Sequence, residues 1–429
     1  MRFDIFGMAL EDDSVWGMLE REAKVWEGII PTHIVGYGGP WANSLAFSAD
    51  GTLLANGAFG RVGIVDVRNW KHLRDVRWNG STGFDKTADH YDEYVERYMD
   101  HWMRTVRFSP DGHIIYASEN KIHGTTYAWN VATGELFWRR ADTSFHAISP
   151  DGKYIACSYT CLKKEPSRHH DDMSESVLVL DAATGERVVE VSLKSTRRAY
   201  GNDRGFFSNK FQPSAMTFSP DGRWLVCGMA HPGWGVDPLV LIDVRNWSHA
   251  TVQNIPGLDK MMIERGDQLP WGSIMGNYDY PLYEKAQSVS FSHDGRWVLR
   301  VDCIGARIWQ AGDAPGDWHG GDHVGVYALP GVDELDNVYS SSAVFLGTTS
   351  LIAISHLGLG NVIEVVAGSM NGEITGSKGV YGTLGRRIAV FRCNSGMDSA
   401  TASVDGRWLA IGDRGTVKIH DLDRIISRC

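Results

Sequence analysis

With 429 residues, 43% apolar and 22% charged, the chain has the make-up of a globular protein with ample material for a core. A formal charge of −10, with no basic run beyond pieces such as Lys194-Ser195-Thr196-Arg197-Arg198, excludes an extended phosphate-binding surface and leaves protein, peptide or small-molecule partners rather than nucleic acid. Six cysteines without a CxxC pair, and no apolar run long enough to span a bilayer, point to a reducing, cytoplasmic setting away from the membrane.

In chain order, the first predicted element is a helix within residues 1–28, where Trp16, Leu19, Ala23 and Trp26 form a stripe after Asp13 and Ser14. It would pack on the body of the protein or dock a partner. From Leu45 onward one pattern recurs: LAFSADGTLLANG from Leu45, VRFSPDGHIIYAS from Val106, HAISPDGKYIACS from His146, MTFSPDGRWLVCG from Met216, VSFSHDGRWVLRV from Val289 and TASVDGRWLAIGD from Thr401. Each reads as strand, Asp-Gly turn, strand, and Asp-Gly predicts a two-residue hairpin with positive φ at both central positions. The interval between Asp294 and Asp405 has room for one more copy, which SSAVFLGTTSLIAISHLG from Ser341 supplies with Gly347-Thr348-Thr349 in place of Asp-Gly.

A third strand follows several of these hairpins and ends in GIVDVRNW (63–70), YAWNVATG (127–134), LVLDAATG (178–185), VLIDVRNW (240–247) or VKIHDLDR (417–424). A fourth strand comes next. Units of four antiparallel strands cannot bury both faces alone, so radial stacking is the expected solution.

These segments resemble the WD-repeat family in a degenerate form. The Ser-Pro-Asp-Gly turns match well, the Trp-Asp dipeptide survives only as near misses (Val65-Asp66, Trp129-Asn130, Leu180-Asp181, Ile242-Asp243), and the Gly-His signature is not evident. The resemblance covers most of residues 30–425. It implies an all-β fold, a seven-bladed β-propeller of four-stranded antiparallel blades over residues 29–429, closed by a strand near Pro31–Gly36 that completes the last blade. It also implies an interaction scaffold. In this alignment Trp70 and Trp247 stand where the other copies carry the turn Gly, so the duplicated DVRNW marks a joint between blades.

The surplus sequence falls in insertions at 79–103, 159–175, 194–213 and 255–286. With blade strands lettered a to d from the centre, strand alternation sends a–b and c–d turns to one face and b–c and d–a connections to the other, so all four insertions are expected on one face. In the first, Tyr91, Tyr94, Val95, Tyr98, Met99 and Trp102 recur at helical spacing after Thr87 or Asp89. His90, Asp92 and His101 are its polar candidates, but the two His residues, at ~1.5 Å rise per residue, lie roughly 16 Å apart and cannot share one ion. The loop at 159–175 holds Cys161, His169, His170, Asp171 and Asp172, of which His169, His170 and Asp171 are the candidate metal ligands. A solvated polar loop would carry the same residues, and no recurrent metal spacing is present.

MAHPGWGVDP offers His231, Trp234 and Asp237 as an aromatic wall with a polar edge or as an interblade plug. The last insertion concentrates Trp271, Tyr278, Asp279, Tyr280 and Tyr283, suited to a recognition surface or a lid. His319, Asp322 and His323 are expected in an enlarged c–d loop, Gln310–His323, on the other face, and the Gly-rich stretch Gly368–Gly385 has no evident place.

HExxH, GxSxG, Walker and Rossmann signatures are absent. Two functions follow as expectations: a propeller that binds a protein, peptide or small ligand on its decorated face, or a propeller enzyme, a lyase or hydrolase that would use a divalent metal over the central channel. An assembly subunit that docks through the N-terminal helix fits either.

Overall fold

A computed structural model describes residues 31–36, 44–58, 60–77, 103–119, 124–160, 173–193, 212–230, 239–252, 288–302, 305–324, 339–347, 351–357, 362–368, 385–392, 400–413 and 416–426. The N-terminal helix expected within 1–28 lies outside them. The described residues form two compact units, one from Ile30–Ser192 with Cys393–Arg424, the other chiefly from Leu193–Arg392.

The first unit opens with β1 (His33–Gly36) and three sheets of consecutive strands. These are β2 (Ser44–Phe47), β3 (Leu53–Ala58), β4 (Arg61–Asp66) and β5 (Lys71–Arg77); β6 (Met103–Phe108), β7 (Ile114–Glu119), β8 (Thr125–Asn130) and β9 (Leu136–Ala141); and β10 (Thr143–Ile148), β11 (Tyr154–Thr160), β12 (Met173–Asp181) and β13 (Arg187–Ser192). The second unit holds three more: β14 (Gln212–Phe218), β15 (Trp224–Ala230), β16 (Leu239–Asp243) and β17 (Ser248–Val252); β18 (Ser288–Phe291), β19 (Trp297–Asp302), β20 (Gly305–Gln310) and β21 (His319–Val324); β22 (Tyr339–Phe345), β23 (Leu351–Leu357), β24 (Val362–Gly368) and β25 (Gly385–Arg392). The chain then returns to the first unit with β26 (Ala400–Ala402), β27 (Trp408–Asp413), β28 (Thr416–Asp421) and a short helix α1 (Leu422–Ile426). β1 pairs antiparallel with β28, His33 opposite Ile419 and Gly36 opposite Thr416, so the beginning and end of the described chain share the seventh sheet.

Every sheet among the described residues has four antiparallel strands. Alternation along each second strand divides the core between neighbours: Ile115 and Ala117 pack with the first sheet, whereas Tyr116 between them packs with Phe145 and Ile155 of the third. Trp129 is buried in the first of these layers, where removing a large apolar side chain from water contributes about 2–3 kcal/mol.

The turns between first and second strands depart from the two-residue hairpin. Ser109 N–H bonds the Ile114 carbonyl and Gly112 N–H bonds the Ser109 carbonyl, enclosing a four-residue turn in which Gly112, at φ 74°, is left-handed and Asp111 is not. Pro110 sits where the turn needs its fixed φ. The buried Ser109 hydroxyl completes the turn, donating to Asp111 Oδ1 and accepting from Ile114 N–H, while the same Asp111 oxygen accepts from His113 N–H. The same Ser-to-Asp bond recurs at Ser48, Ser149, Ser219, Ser292 and Ser403.

At the same end of the first three sheets, the third-to-fourth-strand turn packs on a neighbouring sheet. Gly185 lies against the Trp138 ring, which donates from Nε1 to the Ala182 carbonyl, and Arg140 donates to the Gly185 carbonyl. In the DVRNW copies the left-handed position belongs to Trp70 (φ 57°) and Trp247 (φ 59°), as Gly134 and Gly185 hold it elsewhere. Trp70 stacks on His33 at 5.2 Å and meets Trp408 edge-on at 5.2 Å, with Arg407 4.6 Å over Trp408. Asp66 receives the backbone and side chain of Arg68, and Asp243 does the same with Arg245. The duplicated motif is therefore a turn fixed by its own salt bridge, and in the first sheet it clamps β1.

Candidate functional site

Opposite those tight turns lies the end of each sheet where second-to-third connections and links to the next sheet emerge. The strand bounds put residues 78–102 between β5 and β6, 161–172 between β11 and β12, 194–211 between β13 and β14, 231–238 between β15 and β16, and 253–287 between β17 and β18. Each joins strands at this end of its sheet.

The first strands of neighbouring sheets pack together, β2 with β6 and β26 in one unit, β18 with β14 and β22 in the other. Four first strands carry a register break near their beginning. Pairing skips one residue between Met103 and Thr105, Phe145 and Ala147, Pro213 and Ala215, and Ser340 and Ser342. The extra residues are Arg104, His146, Ser214 and Ser341, each left out of the ladder where its strand bends. Sequence reasoning missed all four, because one added residue leaves the apolar run into Phe108 or Ile148 looking continuous.

Below this end, buried polar groups on both faces of the second sheet are paired, Glu119 and Tyr127 on the side of the first sheet and Thr126 and Ser118 toward the third. Tyr127 donates its hydroxyl to Glu119 Oε1 at 2.9 Å, and Thr125 N–H donates to Glu119 Oε2 at 3.1 Å. Thr143 Oγ1 is 2.9 Å from Thr126 Oγ1 and 2.9 Å from the Arg140 carbonyl, and Ser118 donates to the Phe145 carbonyl. Burial, followed by the Glu119 charge, raises the Tyr127 pKa far above its usual value. Burial pushes the Cys157 thiol up to about 12 and the Cys227 thiol higher still. These thiols are protonated at neutral pH and act as small core residues rather than nucleophiles. The network holds strand ends in place beneath the connections.

His90, Asp92 and His101, His169, His170 and Asp171, His231, Trp234 and Asp237, and Trp271 and Tyr278 all lie outside the described residues. Among the described residues, no group of three or more His, Cys, Asp or Glu residues is placed to hold a metal ion. His319, Asp322 and His323 belong to β21 rather than to a loop, since the third-to-fourth connection of that sheet is only Ala311–Trp318, tightened by a 3-10 turn at Pro315–Asp317 and by Trp318 Nε1 donating to the Gly312 carbonyl. The Gly-rich stretch falls between β24 and β25, a third-to-fourth connection.

No family model matches the chain, and no curated protein matches it. Solved structures do. The Cps50 (Swd1) beta-propeller domain of Myceliophteria thermophila is similar at 13% identity with a TM-score of 0.57, covering 91% of this chain and 99% of that one. A chain of the Mitotic Checkpoint Complex is similar at 10% identity with a TM-score of 0.56, covering 92% of each. The fold is a WD40-like β-propeller, all-β with four-stranded antiparallel blades.

Proposed function

We propose that this chain is a non-catalytic interaction propeller whose sheets serve as seven blades of one ring, and that it engages a protein or peptide through the face carrying the long connections. The carrying observation is the asymmetry between the two ends of the sheets. Apart from the connection between β24 and β25 at 369–384 and the Gly347 turn of the same sheet, one end is built from short Ser-Asp-Gly turns and tight joints; the other bears the remaining long connections and the four bulged first strands. Long connections on a rigid scaffold are where recognition is concentrated. One similar solved structure belongs to a protein complex, which agrees with a protein partner.

In this reading Trp234, Trp271 and Tyr278 supply rigid apolar contact, and His90, Asp92, His101, His231 and Asp237 supply the polar rim. His169, His170 and Asp171 add a further polar loop at that face. Affinity purification from native lysate tests the proposal: a defined partner is retained in stoichiometric amount, and Trp234→Ala with Tyr278→Ala releases it. Retention unaffected by both substitutions, or no stoichiometric partner, would overturn it.

A further inference from the structure

The chain carries a formal charge of −10, yet the outer half of its first two sheets is basic. β4, β5, β8 and β9 contain Arg61, Lys71, Arg74, Arg77, Arg139 and Arg140 against only two acids, Asp66 and Asp75. Both acids are engaged. Asp66 pairs with Arg68, and Asp75 pairs with Arg61, His72 and Arg77 at 2.9 to 3.1 Å. Exposed Arg residues of later sheets have acids of their own, as Arg187 has Glu190, Arg245 has Asp243 and Arg296 has Asp294. Among the described residues, Arg74 and Arg139 have no ion-pair partner.

Strand register puts these two guanidinium groups on facing sides of one seam. Arg74 lies opposite Ile64, and Val76 opposite Val62. Ile64, Val62 and Val76 belong to the core layer that the first sheet shares with the second. Arg139 lies opposite Tyr127, and Leu136 opposite Trp129, and both aromatic residues enter the same layer from the second sheet. Alternation along the strands therefore turns Arg74 toward the second sheet and Arg139 toward the first, while Asp75 is turned to the other face of its own sheet. Arg74 extends to the β8–β9 turn, where a carbon added to Gly134 would lie 3.9 Å from its Nη1. Beside each Arg the outer strand leaves one apolar residue out of the ladder, Leu73 on β5 and Phe137 on β9, and these are 51% and 46% exposed.

We propose that the seam between β5 and β9 binds a short acidic peptide segment of a partner protein, with an Asp or Glu carboxylate taken by Arg74 and Arg139 and an apolar neighbour of that residue against Phe137 or Leu73. Two like charges turned toward each other without an acid repel, and an anion from outside relieves that repulsion. A guanidinium offers a carboxylate two parallel N–H donors. The exposed apolar residues beside the pair favour a peptide over a free ion, because a side chain next to the carboxylate can cover them. A long polyanion is disfavoured, since beyond the seam it would meet a chain of net negative charge. This surface lies on outer strands and does not depend on the long connections.

Fluorescence anisotropy of the full chain with a labelled probe peptide, Leu-Asp-Phe-Asp-Leu, tests this. The probe binds, and its counterpart with Asn in place of Asp does not. Arg74→Gln and Arg139→Gln each weaken binding at least about tenfold, whereas Arg187→Gln, at a residue already paired with Glu190, leaves it unchanged. No binding of the probe, equal binding of the Asn counterpart, equal loss with Arg187→Gln, or binding of an oligothymidylate of the same charge as tight as that of the probe overturns the proposal. Should the substitutions unfold the protein, amide exchange of the unmodified chain decides: slowing by the probe in β5 and β9 supports the seam, and slowing only elsewhere overturns it.

Discussion

Trp70 separates backbone strain from side-chain packing at a single position. It is held at φ 57°, where an L-residue is disfavoured by roughly 1–2 kcal/mol. Its ring is retained there by His33 and Trp408, two aromatic contacts each contributing about 0.5–1.5 kcal/mol. Trp70→Ala removes both contacts and keeps the strained backbone; Trp70→Gly removes the same contacts and relieves it. The Gly variant is therefore expected to be more stable than the Ala variant by about 1 kcal/mol, the reverse of the order in an ordinary strand. Both should be less stable than the parent, because the aromatic clamp on β1 is gone. Urea unfolding at constant m-value reads the difference as a shift in midpoint. Gly134→Ala supplies the converse at the same turn position, φ 78°, with Val76 3.8 Å from the added carbon and an expected loss of about 1 kcal/mol. If Trp70→Ala equals or exceeds Trp70→Gly in stability, the left-handed turn is not what fixes this motif.

Other outcomes follow from the same geometry. Burial, aided by the Lys418 charge, lowers the His420 pKa from 6.5 to about 4, so the unfolded chain takes up the proton first and stability is lost as pH falls from 6.5 toward 4. Near pH 5 this amounts to about 2 kcal/mol, and His420→Leu should flatten the pH dependence of urea unfolding by that amount. Gly185→Ala would place a carbon 2.7 Å from the Trp138 ring at φ 72°, and a loss of at least about 2 kcal/mol in thermal or urea unfolding is expected, more than at the uncrowded Gly51. Ser109→Ala strands the Ile114 N–H and one Asp111 bond, lowering stability by about 1–3 kcal/mol in the same assay. The Ser109 and Arg68 bonds hold the Asp111 and Asp66 carboxyls below their usual range, so these turns contribute fully above the unfolded pKa of about 4 and weaken as pH falls below it.

The repeat was legible because each turn advertises itself with Asp-Gly and each joint with a residue that must turn left-handed. Spacing along the repeat aligns Trp70 and Trp247 with Gly134 and Gly185, which marks the left-handed turn position from sequence alone. The type of the first turn was not legible from Asp-Gly alone, because Ser109 and its equivalents stabilise a longer turn through side-chain bonds that a dipeptide rule ignores. Bulges at Arg104, His146 and Leu73 escaped for a related reason: a single inserted residue alters which face a side chain meets without altering the run of apolar residues. His319, Asp322 and His323 misled because clustered ligand types in a Gly-rich stretch resemble a loop, yet the stretch completes a sheet as β21.

If recognition belongs to the end of the propeller bearing most of the long connections, quantitative binding to the purified partner across one panel of variants will show it. Trp234→Ala and Tyr278→Ala should each weaken binding by roughly tenfold or more, as truncation of an aromatic anchor does. Trp247→Gly and Ser109→Ala, at the opposite end, should leave affinity unchanged while altering stability. The inverse pattern, with affinity lost at the turn end and kept at the connection end, would contradict the claim.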